Sequence, residues 1–161
     1  MSKSLLIVID FQNAFINKNT AKAKKEIPQL LKENKFDDVL FTRFINDEQN
    51  PVCLRLGWNK CIDGGSKEIC MDTANYRVFD KKTYTALNDE MRTYIVKEEI
   101  DAIYLCGIDI ECCVLATALN MFENNYNIRV LEKYVYCMCG EKGKRNAIEI
   151  LKRNIGEQNV I

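Results

Sequence analysis

The sequence predicts an α/β fold, with one domain arranged as a three-layer α/β/α sandwich around a mostly parallel, six-stranded, Rossmann-like sheet. Three observations carry this expectation. Short apolar runs alternate with helical patterns of about 10–15 residues, the signature of strand–helix–strand units. The opening run LLIVI at residues 5–9 is continuous rather than alternating, as in a strand covered on both faces. The chain has 161 residues, 47% of them apolar. A chain of about 150 residues buries roughly 68–70% of the surface its unfolded form exposes, enough for one core. Residues 1–161 are therefore assigned to a single domain.

Each element has its own reason. Residues 5–9 form the first, central strand, and residues 21–34 a helix with Ile27, Leu30 and Leu31 on one stripe. DVLFTRF at 38–44 and YRVF at 76–79 read as the second and third strands. Between them, residues 45–70 are polar and turn-rich (NDEQNP, then DGGS), too long for a simple connection, and read as a cap-like insertion over a site. Leu87, Met91, Tyr94 and Ile95 share a stripe in a helix at 84–98, followed by a fourth strand at 102–106. Leu115, Ala118, Leu119 and Phe122 repeat the helical pattern at 113–124, which Asn124 and Asn125 stop. A fifth strand at 128–131, a helix at 142–154 ended by Gly156, and a sixth strand at 159–161 complete the order. Right-handed crossovers between such strands make the sheet parallel.

Charge and composition exclude several functions. Lys and Arg number 23, Asp and Glu also 23, so the formal net charge is zero. Nucleic-acid binding, driven by a basic surface that displaces counterions, is not expected. No apolar run approaches the roughly 20 residues of a membrane span, and no signal-peptide core follows the first strand, so the expectation is a cytoplasmic protein with no membrane partner. Eight cysteines, about 5% of the chain, fall below the 8–10% of disulfide scaffolds and read as reduced thiols. Their spacings, Cys112-Cys113 and Cys137-x-Cys139 with the rest scattered, lack the paired Cys-x2-Cys of closed zinc sites. Histidine is absent, which removes the commonest metal ligand and every His-based dyad or triad. Any acid or base must be Asp, Glu, Lys, Tyr or Cys.

Sites in open parallel sheets lie beyond the carboxyl ends of strands. Asp10 follows the first strand, Lys81 the third, and the turn GIDIECC at 107–113 the fourth. A cysteine in the first turn of a helix faces unpaired N–H groups and a positive dipole end, which lower its thiol pKa, and Cys113 has that placement. It fits a buried small residue closing the helix equally well, with Cys112 as its nearest comparison. Asp10 fits a base in a partly dehydrated site, and also a turn or cap. Lys81 fits a partner for those charges or a solvated lysine beside Lys82.

Three segments together resemble the isochorismatase-like cysteine hydrolases. LLIVIDFQNAF at 5–15 is similar to their first motif, an apolar strand followed by Asp, any residue, Gln and a nearby Phe. VFDKKTYTAL at 78–87 resembles their lysine motif, and GIDIECCVLATA at 107–118 their nucleophile motif. The resemblance implies an Asp-Lys-Cys triad at Asp10, Lys81 and Cys113. It further implies a cis peptide between Ile108 and Asp109, an oxyanion hole from the N–H groups of Asp109 and Cys113, and aromatic pocket walls at Phe15 and Trp58. Nicotinamidases of this family bind a metal through an Asp and histidines after the second strand. Here that stretch reads FIND at 44–47, so neither a metal nor another cofactor is expected. The family often has Thr or Ser where this chain has Ile110.

The function expected is a metal-independent cysteine hydrolase that cleaves a small amide-like C–N substrate through a thioester, acting as a homo-oligomer on a small molecule. Two other classes remain open. One is a non-catalytic member that binds a ligand or a protein as a scaffold. The other is a thiol redox sensor built on Cys112, Cys113, Cys137 and Cys139.

Overall fold

The computed structural model describes residues 3–161. Its elements are β1 (Lys3–Ile9), α1 (Ala23–Lys32), β2 (Asp38–Phe44), α2 (Pro51–Leu56), α3 (Gly64–Lys67), β3 (Arg77–Lys81), α4 (Asp89–Lys97), β4 (Ile100–Ile108), α5 (Leu115–Glu123), β5 (Ile128–Tyr136) and α6 (Glu141–Ile155). A π-helical turn spans Ile110–Val114, and 3-10 turns span Asn13–Phe15 and Glu157–Asn159. Among the described residues no helix is long and apolar enough to cross a membrane.

The strands form one sheet in the order β3-β2-β1-β4-β5, every neighbouring pair parallel. β1 explains the order. Leu5 to Ile9 are fully buried, and the two-residue side-chain period sends them alternately to opposite faces. Leu5, Ile7 and Ile9 join a core with Met91 of α4, Ala118 of α5 and Leu151 of α6, while Leu6 and Val8 join Ile27 and Leu30 of α1. A continuous apolar run is what a central strand between two helical layers requires.

Three expectations need correction. The sheet has five strands, not six. Residues 159–161 do not extend it, because the 3-10 turn takes up Asn159, leaving a single parallel bridge from Val160 to Val130. α4 begins at Asp89 rather than at 84, since the Asn88 side chain accepts the Met91 N–H at 2.9 Å and caps the helix there. β5 runs on to Tyr136, past the expected end at 131. It carries Glu132 and Lys133 because β5 is the last strand of the sheet, and charges on such an edge strand reach water.

The connections from β1 lead outward through β2 to β3, whereas β4 lies on the other side of β1 and leads to β5. The carboxyl ends of β1 and β4 therefore flank the point where the winding reverses, and a crevice opens there. Gly107 lets the two strands close up. Its φ is +118°, and a Cβ on it would lie 2.1 Å from the Ile9 carbonyl oxygen. Both facts demand glycine. Gly107→Ala is expected to cost roughly 4 kcal/mol or more, beyond the range of ordinary substitutions. Urea unfolding of the soluble fraction checks this, and a cost near 1 kcal/mol would show that β1 and β4 tolerate separation.

Candidate active site

β1 delivers Asp10 into the crevice in a left-handed conformation (φ 46°), one that Asp adopts more readily than most residues. The neighbouring β2 brings Thr42 alongside. Its hydroxyl donates to Asp10 Oδ1 at 2.7 Å and accepts the Asp10 N–H at 3.1 Å. Lys81, the last residue of β3, extends past the end of β2 and sets its Nζ 2.7 Å from Asp10 Oδ2. The two side chains are 2% and 0% exposed. Lys81 aims its directed hydrogen bonds at the Thr83 and Tyr84 carbonyls, at 2.8 and 3.1 Å. Its contact with Asp10 is a close, charge-assisted one.

From the other side of the winding reversal, β4 ends at Ile108, whose peptide bond to Asp109 is cis. The π-helical turn that follows presents Cys113, 5% exposed, toward the ion pair. The Glu111 N–H donates to the Asp109 carboxylate, and those of Cys112 and Val114 donate to the Asp109 carbonyl. Thr117 receives the Ala86 N–H and donates to the Cys113 carbonyl at 2.7 Å, tying the loop after β3 to the turn that carries Cys113.

Electrostatics reverse one expectation. Burial first, then the Asp10 carboxylate, pushes the Cys113 thiol well above its ordinary value despite the opposing pull of Lys81. The helix-start position does not lower it, because a desolvated thiol beside a carboxylate holds its proton more firmly than a nearby dipole can offset. Burial opposes the charge on Lys81, but Asp10 and Cys113 outweigh it and raise that group. The resting arrangement is the Asp10–Lys81 salt bridge facing a thiol that holds its proton firmly.

Above the thiol lies a cavity of about 270 Å³ walled by Phe15, Phe44, Trp58, Tyr84 and Met138, with Asp109 and Cys112 at its edge. Phe15 and Trp58 stack with ring centroids 5.5 Å apart and an interplanar angle of 9°. Residues 45–70 supply Trp58, and Asn46 holds them in place by donating its side-chain amide to the Trp58 and Lys60 carbonyls at 2.8 and 3.0 Å. Asp47 pairs with Lys82 at 2.6 Å. A neutral amide turned onto carbonyls and a carboxylate already ion-paired, with no histidine in the chain, do not fit a metal beyond β2.

Sequence reasoning missed three supports. Thr42 sits one strand away from Asp10 and was legible only as a polar residue in an apolar run. Gln12 donates to the Phe44 and Lys67 carbonyls and accepts the Phe44 N–H at 2.7 Å, fastening the exits of β1 and β2 to α3. Its place in the first motif was its one signal. Thr117 lies in α5, and its place in the nucleophile motif was its one signal.

The family model described as the isochorismatase domain matches residues 4–158. Isochorismatase family protein 2A of Dictyostelium discoideum is 33% identical over 61 residues, covering 37% of this chain and 30% of that protein. The chain thus aligns with under a third of that relative's length. Among solved structures, an isochorismatase-like hydrolase from Alkaliphilus metalliredigens superposes with a TM-score of 0.86 at 15% identity, covering 99% of this chain and 94% of the other. A pyrazinamidase/nicotinamidase from Streptococcus mutans gives 0.86 at 19% identity, covering 99% and 100%.

The buried pair makes a stability prediction. Removing one member of a buried ion pair leaves an uncompensated charge that costs about 3–5 kcal/mol, whereas removing both can be nearly neutral. Asp10→Asn and Lys81→Met should each destabilise by about that amount, and the double variant by clearly less than either single change. A urea-unfolding cycle measures this, and additive single effects would disprove the coupling.

Proposed function

The chain belongs to the isochorismatase family, and from that premise we propose that it is a cysteine hydrolase of small, uncharged amides that works without a metal ion. One observation carries the reading, a buried thiol facing a desolvated carboxylate–ammonium pair beneath an apolar cavity.

In the proposed reaction the substrate carbonyl lies over Cys113. The Asp10 carboxylate, held by Thr42 at Oδ1 and by Lys81 at Oδ2, takes the thiol proton as sulfur attacks. Transfer in concert with attack suits a thiol that stays protonated at rest, since free thiolate would be scarce. The amides of Glu111, Cys112 and Val114 are turned onto Asp109, and we assign the oxyanion to the N–H groups of Asp109 and Cys113. Asp10 returns the proton to the leaving amine, which departs and leaves an acyl thioester. It then deprotonates a water that hydrolyses the thioester, and the proton goes back to sulfur. Lys81 stays paired with Asp10 between these steps and holds its orientation.

The cavity narrows the substrate class. Its walls are aromatic and aliphatic, and no Lys or Arg lines it, so a substrate carboxylate would be desolvated without a counter-ion. Neutral primary amides with a compact apolar acyl group fit better than carboxylated carbamoyl compounds.

A screen of small amides by ammonia release, followed by kinetics, tests the reading. Cys113→Ala, Asp10→Asn and Lys81→Met should each lower kcat/KM by about a thousandfold, roughly 4 kcal/mol, with double variants scarcely worse. A Cys113→Ala variant that still turns over would refute the nucleophile. Turnover should survive exhaustive chelation, and its loss would refute metal-independent catalysis. Asp10→Asn offers a further check, because it removes a charge that raises the thiol pKa and leaves Lys81, which lowers it. Iodoacetamide should therefore modify Cys113 faster at neutral pH in this inactive variant than in the unaltered protein, as read by mass spectrometry. Slower modification would mean that Asp10 does not face the thiol.

A further inference from the structure

We propose that Glu111, Cys137 and Cys139 form a site for one thiophilic divalent cation of the zinc class, on the flank of the nucleophile turn and apart from the catalytic residues. The sequence predicts no metal, because the chain has no paired Cys-x2-Cys spacing and no histidine, and Cys137-x-Cys139 alone is an incomplete donor set. Folding completes it. Glu111 comes from the turn between β4 and α5, 26 residues from Cys137, and the three ligand atoms lie within 4.8 Å of one another. In a tetrahedral site with zinc–sulfur bonds of about 2.3 Å and zinc–oxygen bonds of about 2.0–2.2 Å, ligand atoms lie roughly 3.5–4 Å apart. A small adjustment of side chains suffices. The Cys137 thiol now donates to Glu111 Oε2 at 2.9 Å, so a proton occupies the place a cation would take.

A second observation points to the same spot. α6 crosses directly over the pair at Gly143, a buried helical residue where alanine would favour the helix by about 1 kcal/mol. A Cβ there would lie 2.7 Å from Cys137 Sγ and 2.8 Å from Glu111 Oε1. The glycine keeps open the space in which thiol and carboxylate meet.

Three protein ligands leave the fourth position to water. On binding, each thiol releases its proton to solvent. The cation would join the turn that carries Cys113 to the β5–α6 connection. No member of the Asp10–Lys81–Cys113 set is a ligand, so the site stands independently of the hydrolase reading.

The test uses the full chain, reduced with a phosphine and stripped of metal, titrated with Cd2+ while thiolate-to-cadmium charge-transfer absorption is followed. One equivalent should saturate a band of two-thiolate intensity, and Zn2+ should displace it. Cys139→Ser, at an exposed position, should halve the band and weaken binding roughly tenfold or more. Glu111→Gln should keep the band but weaken binding to a similar extent, and Gly143→Ala should abolish uptake. Cys53→Ser, in α2, should change nothing. Circular dichroism confirms that each variant is folded. Absence of a saturable band, or a band unaltered in folded Cys139→Ser and Glu111→Gln, would overturn the proposal, as would a band that Cys112→Ser removes instead.

Discussion

The Asp10–Lys81 ion pair sets the terms for the rest of the molecule. A carboxylate and an ammonium that are almost wholly buried must recover their lost hydration from each other and from fixed dipoles. Every neighbouring element contributes to that. β2 supplies the Thr42 hydroxyl to one carboxylate oxygen, and the loop after β3 turns the Thr83 and Tyr84 carbonyls onto the ammonium. Three strand ends are thereby locked in relative position, because a displacement of any one would strand a charge in an apolar surrounding.

That constraint lets the cavity above be apolar. The charge that the proposed reaction uses is held below the cavity floor, already paired, so the walls can be Phe15, Phe44 and Trp58 with no countercharges of their own. Lys81 Nζ also stands 5.3 Å from the centre of the Phe44 ring, so the same aromatic wall shields the pair from water. A low-polarity surrounding strengthens the ionic contact and holds the thiol protonated. The helix-start position of Cys113 accordingly counts for less than its burial.

Much of this was legible along the chain, and the limits have physical causes. β1 was readable because a strand buried on both faces has to be continuously apolar. Asp10, Lys81 and the 107–113 turn were readable as strand-end positions, and their motifs then ordered them. The sixth strand was misread because a short β-rich segment does not reveal whether a turn will consume it. The start of α4 was misread because Tyr84 and Leu87 continue a helical stripe while Asn88 caps a later beginning. Thr42, Gln12 and Thr117 act through neighbours 31 to 55 residues away or through a local helical carbonyl, and no periodicity encodes such partners. The direction of the Cys113 shift depends on burial, which the sequence shows only coarsely. Glu111 meets Cys137 because β4 and β5 are neighbours with their carboxyl ends together.

Two carboxylates stand near Cys113, and their surroundings separate their roles. Asp109 lies in the turn itself and lines the cavity, so proximity alone would make it a rival base. Burial pushes its carboxyl upward, the Glu111 carboxylate adds to that, and the hydrogen bond from the Glu111 N–H only partly opposes it. No ammonium or guanidinium pairs with it among the described residues. Asp10 is more deeply buried yet has Lys81 at 2.7 Å. A base must be ionised before it can accept a proton, and in a desolvated site ionisation needs a fixed cation close by. Asp10 has that cation beside it and Asp109 has none, so in the proposed reaction Asp109 serves through its backbone N–H while its side chain shapes the turn.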